Sequence, residues 1–109
     1  MIQIRLRRTA AGEPVRLTVR GHAGAGEYGR DIVCAGVSAL VETLALALPK
    51  TSGWRGQIRV EAGSADFVFT APLSAEVRAV AEALVAGLAD LAASARPYVR
   101  FEEVRERGE

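Results

Sequence analysis

Residues 2–8 alternate Ile2, Ile4 and Leu6 with Gln3, Arg5 and Arg7, the period of two expected of a strand with one buried face. Glu13-Pro14 marks a turn, after which Val15, Leu17 and Val19 alternate with Arg16, Thr18 and Arg20 in a second strand. The two make an antiparallel hairpin with arginines along its outer side. Apolar spacing then changes to the helical period: Val33, Val37, Leu40, Val41, Leu44 and Leu48 form one stripe, ended by Pro49 and Gly53. Thr51–Gly56, with Trp54, reads as a loop. Gln57–Ala62 and Asp66–Thr70 follow as a second hairpin turning at Gly63-Ser64. Pro72 and Ser74 open a second helix, with Glu76 in its first turn and Val77, Val80, Ala81, Leu84, Leu88 and Leu91 on its buried side. Gly87 stands inside it, at a cost of about 1 kcal/mol relative to alanine. Pro97–Val104 alternates again and makes a last strand.

The order ββαββαβ predicts an α+β fold, a two-layer α/β sandwich with two helices packed on one face of a mainly antiparallel sheet. At 109 residues the chain is a single domain spanning 1–109. Two segments stand outside the regular pattern: a glycine-rich loop over 21–30, too long for an ordinary connection and of the kind that binds or covers substrates, and a frayed polar tail over 105–109.

Composition narrows the functional classes. One cysteine cannot form an internal disulfide, which fits a reducing, cytoplasmic setting. The N-terminus enters a strand pattern directly, with no apolar leader. Ile32–Leu48 is interrupted by Glu42 and Thr43 and falls short of a typical membrane span, so no membrane is expected. A net charge of +1 does not call for a polyanionic partner. Arg5, Arg7, Arg16 and Arg20 form a basic patch, but no aromatic residues are interleaved with them to stack bases, and a solvated arginine face is the better reading than an RNA-binding one.

Candidate chemistry concentrates in residues 21–40, which hold the only histidine, His22, and the only cysteine, Cys34. Asp31 fits an N-cap, whose carboxylate accepts backbone N–H bonds from the residues after it. That start places Cys34 in the first helical turn, where the dipole and a nearby imidazole lower a thiol's pKa. On helical geometry Cys34 lies about 70° from the centre of the apolar stripe, half supported and half exposed, with Ser38 one turn on along the same shoulder. Glu42 points away from the stripe as a solvated charge. The N–H groups of Ile32–Ala35 are then candidate oxyanion donors, and Asp31 has a second role open to it, orienting His22. Arg30 and Trp54 are candidates for substrate contact, though ordinary surface roles suit both better.

Competing motifs are weaker. Gly24, Gly26 and Gly29 spell the dinucleotide fingerprint, but the third glycine precedes the helix, Asp31 occupies the pyrophosphate's place, and the flanking strands are antiparallel. One His and one Cys with no ligand spacing do not make a metal site. A plain binding domain with an inert, packed Cys34 is the alternative to thiol chemistry.

Gly21-His22-Ala23, a short glycine-containing loop, Asp31-Ile32-Val33-Cys34-Ala35 and Val37-Ser38-Ala39-Leu40 together resemble the ribosomal-processing cysteine protease family, Prp. The likeness is dense over residues 21–40, including the Tyr28-Gly29 step, and elsewhere extends to element order and length. It implies a small bacterial cysteine endopeptidase that removes an N-terminal extension from the large-subunit ribosomal protein numbered twenty-seven. Cys34 would be its nucleophile and His22 its base, with Asp31 and Ser38 matching the family's acidic and serine positions. The resemblance also implies a homodimer with a mobile substrate loop, carrying Gly21, Gly24, Gly26 and Gly29. It calls for no cofactor and no direct contact with nucleic acid.

Overall fold

A computed structural model describes residues 1–21 and 28–108, with Tyr28 to Asp31 described by their backbone. Its elements are β1 (Ile2–Arg8), β2 (Pro14–Arg20), α1 (Tyr28–Ala47), a 3-10 turn (Leu48–Lys50), β3 (Gly56–Glu61), β4 (Ser64–Phe69), α2 (Ala75–Ser94) and β5 (Val99–Arg105). This is the expected ββαββαβ order.

The alternation in β1 buries Ile2, Ile4 and Leu6 and exposes Gln3, Arg5 and Arg7, each buried aliphatic side chain contributing about 2 kcal/mol by transfer from water. The sheet order is β3-β4-β2-β1-β5. Its neighbours are antiparallel except β1 and β5, which run parallel from Ile2↔Val99 to Arg8↔Arg105. The β1–β2 connection is closed by Thr9, whose N–H donates to the Glu13 carbonyl at 2.8 Å and whose Oγ1 accepts from the Glu13 N–H at 3.1 Å.

Both helices pack on one face, and the core is continuous across the layers: Leu6, Leu17 and Phe67 of the sheet meet Leu44 and Leu48 at the α1 side and Val77 and Leu88 of α2, all at most 0% exposed. Helix α2 starts as expected, with the Ser74 hydroxyl accepting from the Val77 N–H at 3.0 Å. Its buried row is Val77, Ala81, Val85, Leu88 and Ala92, while Val80, Leu84 and Leu91 are half-buried. The helix is thus rotated from the expected stripe, because its other flank meets α1 rather than solvent. Gly87 has its reason there: a Cβ on it would approach Leu40 to 3.3 Å.

Three boundaries differ from expectation. Helix α1 begins at Tyr28, three residues before Asp31, so the loop is shorter than 21–30. The turn of the second hairpin is Ala62-Gly63, with Gly63 at φ 73°. Arg105 belongs to β5, and Glu106 still donates its N–H to the Arg8 carbonyl at 2.9 Å, so the tail begins later than residue 105. The apolar segment is also longer than expected: Ile32–Lys50 reaches 19 residues at mean hydropathy 1.9, enough by length and composition to cross a membrane. Its Val37, Val41, Leu44 and Leu48 are nevertheless buried in the protein core, as in a core helix, while Ile32 and Leu46 are exposed on the outer side.

Candidate active site

Strand directions place the start of β1, the end of β2 and the β3–β4 turn at one end of the sheet. Helix α1 starts from that same end, since it follows β2. There the fold leaves a cavity of about 390 Å³. Ile2, Val19, Val37, Val41 and Ala65 supply apolar walls, and Cys34, Ser38 and Glu42 enter from α1. The hairpin residues Val60 to Ser64 close the opposite side, and Gly21 lies at the base of the glycine-rich loop.

Cys34 is half-buried and packs against the core while facing this cavity. The shoulder position expected from the helical wheel is the one observed. Ser38, exposed, shares the cavity one turn along. Glu42, exposed as expected of a solvated charge off the stripe, borders it too. Residues 34, 38 and 42 form an i, i+4, i+8 row, and such rows run as a ridge along one side of a helix. The signal was present in the spacing.

The earlier start of α1 changes the environment of the thiol. Asp31 is the fourth residue of the helix, not its N-cap, and Cys34 lies in the second turn. An aspartate suits both places, because the first turn carries the same positive end of the helix dipole as the cap. In a helix beginning at Tyr28, the N–H groups of Ile32 to Ala35 bond back to the carbonyls of residues 28–31. They are therefore not free oxyanion donors; the free amides within the helix start are those of Tyr28 to Arg30. Gly29 lies in this first turn. The side chain of Asp31 lies outside the described residues, as do His22, Gly24 and Gly26.

Gly21 can be placed closely. Its N–H donates to the Gly63 carbonyl at 2.9 Å, tying the end of β2 to the tip of the β3–β4 hairpin. Its φ is +95°, and a Cβ there would meet the Met1 carbonyl oxygen at 2.4 Å. Only glycine fits. The residue before His22 is thus clamped between two backbone carbonyls on the rim of the Cys34 cavity.

Other expected contacts fall elsewhere. Trp54 packs edge-on against Phe69, ring centroids 5.7 Å apart, at the opposite end of the sheet from Cys34. Arg5, Arg7, Arg16 and Arg20 lie on the face that no helix covers, and most answer carboxylates. Arg16 forks onto Asp66 at 2.9 and 2.5 Å, Arg20 lies 4.0 Å from the same group, and Arg5 lies 3.6 Å from Glu102. The hydrogen bond from Arg16 holds the Asp66 carboxyl below its ordinary pKa. A further ion-pair cluster escaped the sequence: Arg8, on the inner side of β1, joins Glu82 of α2 and Glu103 of β5.

Known proteins are similar to this arrangement. Residues 1–100 match the family model described as cysteine protease Prp. The chain is 32% identical over 90 residues to the ribosomal processing cysteine protease Prp of Bacillus subtilis, covering 81% of this chain and 80% of that protein. Among solved structures, SMU.848 from Streptococcus mutans superposes with a TM-score of 0.77 at 29% identity, covering 97% of this chain and 96% of that one. The ribosomal processing protease Prp from S. aureus, in complex with a covalently linked product peptide, superposes with a TM-score of 0.84 at 24% identity, covering 94% and 99%.

Proposed function

The chain belongs to the cysteine protease Prp family, and we propose that Cys34 is its nucleophile and His22 its general base. The observation that carries this reading is Cys34 half-buried on the wall of a cavity whose rim also holds Gly21, the residue preceding His22. His22 takes the proton from the Cys34 thiol, and the thiolate attacks a peptide carbonyl lying in the cavity. The tetrahedral adduct collapses to a thioester as the imidazolium returns its proton to the departing amine. Water, deprotonated by His22, then releases the acid and restores the thiol. Because a helix dipole acts mainly within the first turn and Cys34 stands in the second, His22 carries most of the thiol's activation. Asp31 orients the imidazole, and Ser38 supports the thiol from the next turn.

The substrate in this reading is the N-terminal extension of the large-subunit ribosomal protein numbered twenty-seven, cleaved in the cytoplasm. Support comes from the relative named for ribosomal processing and from the S. aureus structure holding a product peptide. The working form is a homodimer, a reading supported by the apolar outer side of α1: Ile32 and Leu46 are 56% and 66% exposed, and 28% of the Ile32–Lys50 segment is buried within one chain.

The test is incubation of the host's ribosomal protein, with its native N-terminus, with the wild type, Cys34→Ser and His22→Ala, followed by mass spectrometry. A single cut near the N-terminus, lost in both variants, is expected. An uncut, extended substrate with folded wild type overturns the assignment.

A further inference from the structure

The sheet ends in β3 on one side and β5 on the other, and the two edges are guarded differently. Opposite the buried Leu6, β5 carries a charge, Glu103, tied to Arg8. An inward charge is one means by which a sheet edge resists a further strand. On β3 the charges of Arg59 and Glu61 project to the helix-free face with Asp66, which leaves the aliphatic Ile58 and Val60 on the inner side.

The backbone of the β3 edge is free in a regular pattern. The Thr70 N–H donates to the Arg55 carbonyl at 2.9 Å in the β3–β4 register, and the bond from Gly21 to Gly63 continues the β2–β4 register. Hydrogen-bonded pairs alternate along an antiparallel ladder, so Gln57, Arg59 and Glu61 direct their N–H and C=O groups to β4. Ile58 and Val60 direct theirs outward, where no described strand meets them. For the same reason Val60 is 46% exposed although it faces inward. This edge opens onto the Cys34 cavity. Gly36 and Leu40 of α1 meet Leu91 and Gly87 of α2, so the row of Cys34, Ser38 and Glu42, on the opposite flank of the helix, is turned from α2 toward β3. Val60 lines the cavity from the other side.

We propose that substrate binds as an added strand on β3, its backbone paired with Ile58 and Val60, a reading that rests on the protease assignment and names the form its substrate takes. That form is an extended peptide recognised through its main chain. The added strand covers Val60, lays its inward side chains against the Cys34 row and carries the carbonyl to be attacked past the thiol.

The test uses the full chain as Cys34→Ala, so that peptide binds without being cut. The probe is a capped peptide copying the N-terminal segment of the large-subunit ribosomal protein, with its amides N-methylated one at a time. Only every second N–H of an added strand faces the edge, so affinity should fall about tenfold at alternate positions of a short run and change little between them. Val60→Pro removes an outward N–H without touching the β4 ladder, a place where edge strands accept proline. It should weaken binding about tenfold, and Val60→Thr, which keeps the N–H and the strand preference, should restore most of it. Circular dichroism checks that each variant is folded; if Val60→Pro is not, the methylation scan decides alone. A scan without alternation overturns the proposal, as does undiminished binding by folded Val60→Pro. So does a Val60→Pro chain that loses self-association in sedimentation but keeps the peptide, which assigns the edge to a second copy. Cleavage by the wild type is scored separately. Cleavage with a flat scan leaves the protease reading standing without the added strand, and an alternating scan with no cleavage does the reverse. Neither binding nor cleavage overturns both.

Discussion

Replacing Arg8 by alanine tests whether the ion-pair cluster at the far end of the sheet fastens the two layers. The Arg8 side chain is 11% exposed, and its guanidinium donates to Glu82 at 2.5 and 2.8 Å, to Glu103 at 2.8 Å and to the Gly12 carbonyl at 2.9 Å. Removing a fully buried ionic partner costs 3–5 kcal/mol in other proteins, but Glu82 and Glu103 are partly exposed and rehydrate, so the expected loss is about 2 kcal/mol. For a domain of this size that is a fall in Tm of about 10 °C. The assay is thermal unfolding followed by circular dichroism, with Arg8→Lys and Glu82→Gln completing the comparison. Lysine keeps the charge without the forked geometry and should recover part of the loss. The pH dependence has a definite sign. The hydrogen bond from Arg8 lowers the Glu82 pKa below its ordinary value of 4.5. Its contribution is therefore full above that value and disappears as pH falls through the lower, folded-state pKa. The gap between wild type and Arg8→Ala should narrow on acidification. A loss under about 0.5 kcal/mol at neutral pH, the level of an exposed surface pair, would refute the reasoning.

Gly21→Ala should fold less stably and cleave peptide about a hundredfold more slowly, since displacing a reacting group by an ångström is enough for that loss; kcat on a peptide substrate, with circular dichroism as control, checks it. Leu44, fully buried on the α1 stripe, should cost about 3 kcal/mol when cut to alanine, measured by urea unfolding. Ser74→Ala removes the cap of α2 and should cost about 1 kcal/mol in the same assay, with Ser74→Asp restoring most of it.

The elements that were legible in the sequence are those whose burial is set locally. In β1 the alternation of three aliphatic residues with polar ones specifies the buried face without knowledge of any partner. The shoulder position of Cys34 follows from helical period alone. What the sequence hid depended on tertiary neighbours. Val85 and Ala92 lie on the flank of α2 turned from α1, which meets Gly87 and Leu91 instead, and a single-helix pattern cannot register which flank the sheet covers. The parity of β1 points Arg8 inward, yet its partners lie 74 and 95 residues away, beyond any local signal. Asp31 misled because caps and first turns favour the same carboxylate. The hairpin wall opposite Cys34 became visible only with the β3–β4 register.

The pairing of β1 with β5 sets a condition on when the molecule can work. Ile2 forms part of the cavity floor, and its neighbour in the sheet is Val99, from the last strand. Its N–H also donates to the Tyr98 carbonyl at 2.8 Å. Strand β1 is therefore completed by a strand far along the chain, and the closure of such a parallel pair is slow and non-local. A nascent chain that has made α1 already carries Cys34, but it has an unfinished sheet edge beneath it. Competence waits on β5, and a truncation that removes this strand should act at the level of the fold although it lies far along the chain from residues 21–40.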